Sequence, residues 1–414
     1  MSVAAQPEVV ELEVQSIAAG GDGVGRTSGL VVFVPRTAPG DLARVRIESV
    51  KRFARGQLDA VLRASADRVE PPCQHYTADR CGGCQLQHIR YAAQLEAKRG
   101  IVGDALARIA KRAVDVPSTR ASQREWRYRN KLTLAMRRAG SEWTMGLHPY
   151  DDPVAVFQLV DCPITEERVV AVWREIMAAS RHLPPAAELR GTVRLAGEDI
   201  VVMLRGGKLW SQWEEFFAAV PAAGALWWAP EQQSARLIAE RRHAPGGASF
   251  GQINEVVARD LRQLVVERVT AHSPSTVVDA YAGIGETATA LASLGIRVTA
   301  IEVDREAAGF CAARLPAGSR SLVGRVENLI VRALPADVVI LNPPRAGLDA
   351  RVTAALESQQ TPPRAIVYVS CDPATLARDL ARMPRYRVAS VETFDMFPQT
   401  AHVETVCELL PVAA

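Results

Sequence analysis

Three textures of apolar and polar patterning succeed one another along the chain. Residues 9–64 alternate apolar and polar positions in the short runs VVELEVQ, LVVFVP, LARVRIESV and GQLDAVL, with glycine-rich or Pro-Gly turns separating the first three. A period of two marks half-buried strands, and four or five of them in this length predict a small OB-like barrel. Pro71-Pro72 closes that unit. Residues 88–110 then carry apolar positions at helical spacing and end in a Lys/Arg turn, which predicts a helix. From about 120 to 245, alternating stretches such as LTLAMRR and DIVVMLRGG mix with less regular ones, and the region reads only as an α+β module.

After Gly246-Gly247 the pattern changes again. TVVDAYAGIG, RVTAIEVD, DVVILNPPR and AIVYVSCDP are continuous apolar runs that end in small or polar residues, with helical segments between several of them. Such alternation predicts an α/β domain with a parallel, doubly wound sheet, whose ligands bind at the carboxyl ends of the strands. The expected division is therefore residues 1–66, 67–245 and 246–414.

Composition narrows the picture modestly. A hydrophobic fraction of 48% with 23% charged residues is ordinary for a globular protein, and a net charge of +3 makes any basic surface a local one. Residues 120–138 are such a place: seven Lys/Arg stand against one acid, with Trp126 and Tyr128 interleaved. That mixture suits phosphate binding and base stacking, or simply a solvated basic strand. A second basic run spans Arg44 to Arg55 on the expected barrel. The glycines of GGDGVG at 20–25 lack the Lys-Ser/Thr ending of a phosphate loop and precede no helical pattern, so a hairpin turn is expected. No apolar run approaches the roughly 18 residues needed to span a bilayer, and residues 1–8 lack a signal-peptide pattern, so a cytoplasmic place is expected. The seven cysteines are unevenly spaced, and in a reducing compartment clustered ones read as metal or cluster ligands rather than disulfides.

The unusual residues gather at strand ends. Asp279-Ala-Tyr281-Ala-Gly283-Ile-Gly285 occupies the first strand-to-helix turn, where glycines let a ligand approach the backbone. Glu302 ends the next strand, where a carboxylate can accept hydrogen bonds from both ribose hydroxyls. Gly283, Gly285 and Ala288 also satisfy a dinucleotide fingerprint, so this loop alone suits a nicotinamide or flavin dinucleotide as well as S-adenosylmethionine. The Asn342-Pro-Pro-Arg run favours the methyl donor, because two prolines make a rigid edge that holds an amide beside a flat base. Cys371, in Ser-Cys-Asp-Pro, follows a strand and precedes a helical run, a position that can lower a thiol pKa. Cys311 and Cys407 sit in ordinary helix and strand patterns and read as packed thiols. A cysteine suits methylation of uracil carbon 5: thiolate addition at carbon 6 makes carbon 5 nucleophilic, and a base must later remove its proton. Glu404, in His402-Val-Glu-Thr-Val, is available for that.

Together these residues resemble the class I RNA (uracil-5-)-methyltransferase family, from about residue 9 to 410. The resemblance implies an N-terminal TRAM domain (OB-like), a central RNA-contacting domain and a Rossmann-like class I methyltransferase domain. It makes Cys371 the nucleophile and Glu404 the base, and assigns S-adenosylmethionine to Gln252, Tyr281, Glu286, Glu302, Asn328 and Asn342, alongside Gly283 and Gly285. Glu286 departs from the family's asparagine. Asn342 and Asp372 are exchanged relative to its usual Asp before Pro-Pro-Arg and Asn after the cysteine, which keeps one carboxylate and one amide at the strand ends. Cys73, Cys81 and Cys84, spaced C-x7-C-x2-C, with Cys162 in DCPI, resemble the ligands of one structural 4Fe–4S cluster; by spacing alone zinc fits equally. The TRAM domain and cluster ligands together imply a 23S rRNA substrate. A tRNA T-loop uridine, a cytosine-5 RNA methyltransferase and a non-catalytic RNA-binding assembly factor are the alternatives. The chain is expected to act as a monomer, on a uridine that is flipped out or held in a loop.

Overall fold

A computed structural model of the chain describes residues 8–50, 53–241 and 252–412. The boundary expected at Gly246-Gly247 lies outside the described residues.

The first unit is a closed barrel of β1 (Val9–Ile17), β2 (Gly23–Thr27), β3 (Leu30–Val34), β4 (Leu42–Val50) and β5 (Ala54–Arg63), in the order β1-β2-β3-β5-β4. Alternation along the strands delivers Leu12, Val14, Val32, Val34, Val45 and Ile47 to its interior. The barrel is narrow enough that Gly23 and Gly25 of β2, like Gly56 of β5, leave no room for a side chain. A Cβ on Gly23 would stand 2.1 Å from Thr37 Oγ1, and one on Gly25 would stand 2.5 Å from Leu12 Cδ1. GGDGVG therefore turns only at its start, where Gly21 takes a φ of +91°, and then enters β2. The second basic run is largely ion-paired: Arg44 with Glu11, Arg46 with Asp59 and Arg55 with Asp22. Its Lys51 and Arg52 lie outside the described residues.

A short helix α1 (Gln74–Thr77) opens the cysteine segment, and α2 (Tyr91–Arg108) follows within the expected span. The central region is a seven-stranded sheet. It contains β6 (Lys131–Ala139), β7 (Glu142–Leu147) and β8 (Phe157–Gln158), then α3 (Glu167–Ala178), β9 (Glu188–Ala196), β10 (Asp199–Arg205), α4 (Trp213–Ala219), β11 (Ala225–Ala229) and β12 (Arg236–Glu240). Its order is β12-β11-β10-β9-β6-β7-β8. Helix α3 buries Val169, Val172, Trp173 and Ile176 in the core formed with Leu134, Met136 and Val202 on one face of the sheet.

The last region begins with α5 (Glu255–Thr270) and β13 (Thr276–Ala280). Next come α6 (Glu286–Ser293), β14 (Arg297–Glu302), α7 (Arg305–Arg314), β15 (Arg320–Val323), α8 (Val326–Ala333) and β16 (Val338–Leu341). It ends with α9 (Ala350–Glu357), β17 (Ala365–Ser370), α10 (Pro373–Ala381), β18 (Tyr386–Phe394) and β19 (Glu404–Pro411). The sheet order is β15-β14-β13-β16-β17-β19-β18; the first five strands are parallel, and β19 inserts antiparallel between β17 and β18. This is the class I methyltransferase arrangement, with the topological switch point between β13 and β16.

Helix α2 belongs by packing to this last sheet. Val102 and Leu106 share a core with Val278, Tyr368, Leu376 and Leu380. Its Lys98, fully buried, pairs with the fully buried Asp395 in the loop between β18 and β19, and also donates to Phe397 O at 3.1 Å. Breaking such a pair leaves one uncompensated buried charge. Lys98→Met is therefore expected to cost about 3–5 kcal/mol in urea unfolding of the full chain. Lys98→Met with Asp395→Leu should recover most of that, and a single variant as stable as the wild type would contradict the pairing's importance.

Candidate active site

Strand ends at and beside the switch point carry most of the expected cofactor residues. Gly283 and Gly285 take φ of +56° and +78°, and Gly285 caps α6. A Cβ on Gly285 would lie 2.3 Å from Cys311 Sγ, so Cys311 is the packed thiol its pattern suggested. Glu302, at the end of β14, accepts the backbone N–H groups of Gly283 and Asp304, both at 2.8 Å, and so shapes the glycine loop itself. Asp279 is buried; burial pushes its carboxyl up to about 7 against the backbone N–H of Ala288, with Glu302 adding to the rise. Its Oδ2 has no hydrogen-bond partner among the described residues. Tyr281 is held at a φ of +65°, a conformation that costs a non-glycine residue energy and is characteristic of ligand sites. Asn342 follows β16, donates its N–H to Ala280 O at 3.2 Å and leaves its amide exposed.

The other three expected residues have partners of their own. Glu286, in the first turn of α6, pairs with Arg262 at 2.5 Å. Asn328, in α8, accepts from Arg351 Nη1 at 3.1 Å. Gln252, just before α5, offers its carbonyl to Asn130 Nδ2 at 2.9 Å, which ties it to the central region.

The inserted strand β19 brings Glu404, the base expected from the sequence, towards Cys371, the expected nucleophile. Ser370 pairs with Thr405, so the next step outward sets Cys371 against Glu404. Burial pushes the Glu404 carboxyl up to about 7, and the guanidinium of Arg345 pulls the other way. Burial likewise pushes the half-buried Cys371 thiol up, the Glu404 carboxylate adds to this, and Arg345 opposes it. The lowered thiol pKa expected from a helix N-terminus is thus not found. Burial is the main reason and the Glu404 carboxylate the next; the Asp372 carboxylate, which caps α10 by accepting from Thr375 N at 2.9 Å, adds a smaller effect of the same sign. Arg345, the last residue of Asn-Pro-Pro-Arg, is the residue that reading the motif missed. Exposed itself, it acts electrostatically on Cys371, Glu404 and His402. Desolvation pushes the His402 imidazole down to about 4, with Arg345, Lys98 and Arg129 contributing in the same direction.

Cys73, Cys81, Cys84 and Cys162 converge as four buried free thiols. Three of them share the central core, and Cys81 and Cys84 each feel the charge of Cys162 and Cys73. Arg36 stands over them. Its guanidinium stacks 3.3 Å from the Tyr76 ring centroid, Nη2 donates to Cys81 O at 2.7 Å, and the buried Nη1 has no partner among the described residues. Burial lowers Arg36 to about 10, against the pull of Tyr150 and of the thiols of Cys81, Cys84 and Cys73. As placed, no three His, Cys, Asp or Glu side chains among the described residues form a set that would hold a metal ion.

The basic segment 120–138 is corrected in part. Tyr128 is buried and donates its hydroxyl to Pro398 O at 3.0 Å, so it is no stacking platform, while Trp126 is partly buried against the central core. Arg127 is held by Asp161 at 2.9 Å and by the carbonyls of Cys162 and Thr165. Burial of hydrophobic bulk and ion pairing claimed these three. Arg129 and Lys131 have no ion-pair partner among the described residues.

This electrostatic arrangement has a measurable signature. The Glu404 carboxyl should titrate near 7 by NMR of isotope-labelled glutamate, and Arg345→Gln should move it higher still. A value at about 4.3, that of an exposed glutamate, would contradict the site's electrostatics.

The chain also compares closely with known proteins. The profile of the tRNA (Uracil-5-)-methyltransferase family matches residues 310–410, and that of the TRAM domain matches residues 6–58. An uncharacterised RNA methyltransferase of Thermosynechococcus vestitus is 32% identical, with 99% of each chain covered. Another, from Halalkalibacterium halodurans, is 31% identical over 97% of each. The crystal structure of the Pyrococcus abyssi tRNA (uracil-54, C5)-methyltransferase with S-adenosyl-L-homocysteine shares the fold, with a TM-score of 0.70 over 97% of this chain and all of that one, at 24% identity. With its barrel, its switch-point crevice and these relatives, the chain belongs to the class I, S-adenosylmethionine-dependent RNA (uracil-5-)-methyltransferase family.

Proposed function

We propose that this enzyme methylates carbon 5 of a uridine in 23S rRNA, with Cys371 as nucleophile and Glu404 as general base. The observation that carries the reading is the register of β17 and β19, which sets Cys371 against Glu404 beside the crevice at the switch point. Carbon 5 of uracil is too weak a nucleophile to take a methyl group unaided. Cys371 Sγ bonds to carbon 6, and the electron pair of the ring double bond moves into an enolate that makes carbon 5 nucleophilic. S-adenosylmethionine, when bound, supplies a methyl group activated on a sulfonium. Glu404 then takes the proton from carbon 5, the double bond re-forms, and the carbon–sulfur bond breaks to return the thiolate. A carboxyl that titrates near 7 suits this role, because it is a base strong enough to act and half available at neutral pH. Only the ionised form accepts the proton, so this step quickens as pH rises through about 7. Arg345 is the cation beside both groups and offsets the charge that the thiolate brings.

Gly283, Gly285, Tyr281, Glu302 and Asn342 would hold the methyl donor, with Gln252, Glu286 and Asn328 around them. The orphaned Asp279 Oδ2 and the strained Tyr281 fit a site shaped for a polar ligand. Cys73, Cys81, Cys84 and Cys162 would hold one 4Fe–4S cluster in a structural role. Four buried thiols beside a buried guanidinium with an unpartnered Nη1 suit a group of net negative charge. A zinc ion would need its sulfurs within about 2.3 Å of a single point. A 4Fe–4S cluster would instead take one thiolate on each of its irons. The division into residues 1–66, 67–245 and 246–414, a monomeric state and a cytoplasmic place of work belong to the same proposal.

A second reading, a uridine in the tRNA T-loop, is favoured by the Pyrococcus abyssi enzyme, whose description names uracil-54 of tRNA. Mass spectrometry of nucleosides from a deletion strain separates the two: 5-methyluridine should vanish from 23S rRNA, whereas its loss from tRNA supports the second reading.

Anaerobically purified protein should be brown, with iron and acid-labile sulfide in equal amounts. Stoichiometric zinc without sulfide would refute the cluster. Cys371→Ala should abolish both methylation and any covalent RNA adduct. Glu404→Gln should accumulate the methylated adduct, because only proton removal is blocked. Normal turnover by the glutamine variant would make Glu404 a bystander.

A further inference from the structure

The central sheet has two faces of opposite character. One packs under α3 through Leu132, Leu134, Met136, Val193 and Val202. Strand residues alternate, so the intervening positions point the other way, and several of these are cations. The register sets like charges directly across from one another: Lys131 faces Arg194 between β6 and β9, and Arg190 faces Arg205 between β9 and β10. Like charges in directly opposed positions destabilise a sheet. Arg190 and Arg205 are both exposed, and neither side chain has an ion-pair or hydrogen-bond partner among the described residues. For the exposed Arg190 and Arg205, folding alone gives no reason for such an arrangement. An anion lying across the strands does.

This face also runs into the active site. Lys131 begins β6 two residues after Arg129, and Arg129 acts electrostatically on His402, as does Arg345. From Arg194 to Arg190 the track extends along β9 by about 13 Å at the usual rise per residue. Cations repeated at strand spacings, leading from the site where a uridine must enter, match one kind of partner: a chain of regularly spaced phosphates.

We propose that this face of the central sheet is a track for the phosphodiester backbone of the substrate RNA, running from Arg129 and Lys131, on the side of His402, to the Arg190–Arg205 pair. The proposal rests on the reading of the enzyme as an RNA methyltransferase and adds the path of the bound RNA. A phosphate between Arg190 and Arg205 turns their repulsion into two charge-assisted contacts. Free protein bears the strain, and bound RNA removes it.

The prediction is that binding and stability move apart. The full-length, metal-replete protein carrying Arg190→Gln and Arg205→Gln should bind unmodified 23S rRNA and tRNA transcripts more weakly than the wild type. The slope of log K against log salt should shrink by about 0.7–0.9, for the one phosphate left without its cations. The melting temperature should stay the same or rise, because the opposed charges are gone. Arg190→Lys with Arg205→Lys should keep the salt slope. Unchanged affinity and slope in the glutamine variant, while the wild-type protein methylates RNA, would overturn the track and leave the enzyme reading intact. A wild-type protein that methylates neither RNA would instead overturn the reading on which the track rests.

Discussion

The loop between β18 and β19 has to be held from outside its own sheet, and much of the molecule is arranged around that need. It carries the chain into Glu404, yet residues 395–403 form no strand or helix, so their backbone groups must find partners elsewhere. Those partners come from three separate places. Helix α2 supplies Lys98 to Asp395 and Phe397 O, and Gln94 both to the Gln399 side chain at 2.9 Å and to the Gln399 N–H at 3.1 Å. The cysteine segment supplies the N–H groups of Gln85 and Leu86, which reach Gln399 O at 3.1 and 3.0 Å. The central region supplies Tyr128, which donates to Pro398 O. Gln399 itself takes a φ of +70°, a strained conformation that survives because so many contacts determine it.

This explains why the units are interwoven rather than strung along the chain. Gln85 and Leu86 directly follow Cys84, so whatever orders the four thiols also orders the clamp on the loop that leads to the proposed base. The barrel joins the same knot. Ile17, Ala38, Leu86, Ile89, Ile101 and Ala401 form one buried cluster, and Gly21 is packed against Gln85 and Ala401 so closely that a Cβ there would clash. The barrel, the four thiols and the strand that carries the proposed base thereby hold fixed positions relative to one another, as a site acting on one base of an RNA requires.

Much of this was legible in the sequence, and the exceptions share a cause. The parallel strands and their functional ends could be read because buried strands are continuous apolar runs, and because unusual residues such as Asn342 and Cys371 interrupt them at one end. Strand β2 could not, since Gly23 and Gly25 face the barrel without contributing an apolar side chain to the pattern. The thiol of Cys371 ran against expectation because burial and the Glu404 carboxylate both disfavour the thiolate, and neither is visible in the local sequence. Trp126, Arg127 and Tyr128 looked like an RNA surface in a linear reading. Their partners Asp161, Thr165 and Pro398 are far away in sequence, and only the fold could say that they were already engaged. Arg345 was in plain view, but its meaning depends on β19 bringing Glu404 to it, a strand insertion no local pattern announces.

The central claim is that a proton leaves carbon 5 as a methyl group takes its place, and the most direct test follows that proton. RNA transcribed with uridine tritiated at carbon 5 should release tritium to water in step with methyl incorporation, one for one, when the enzyme and S-adenosylmethionine are present. Methyl incorporation with the tritium retained would place the new group on another atom and contradict the account.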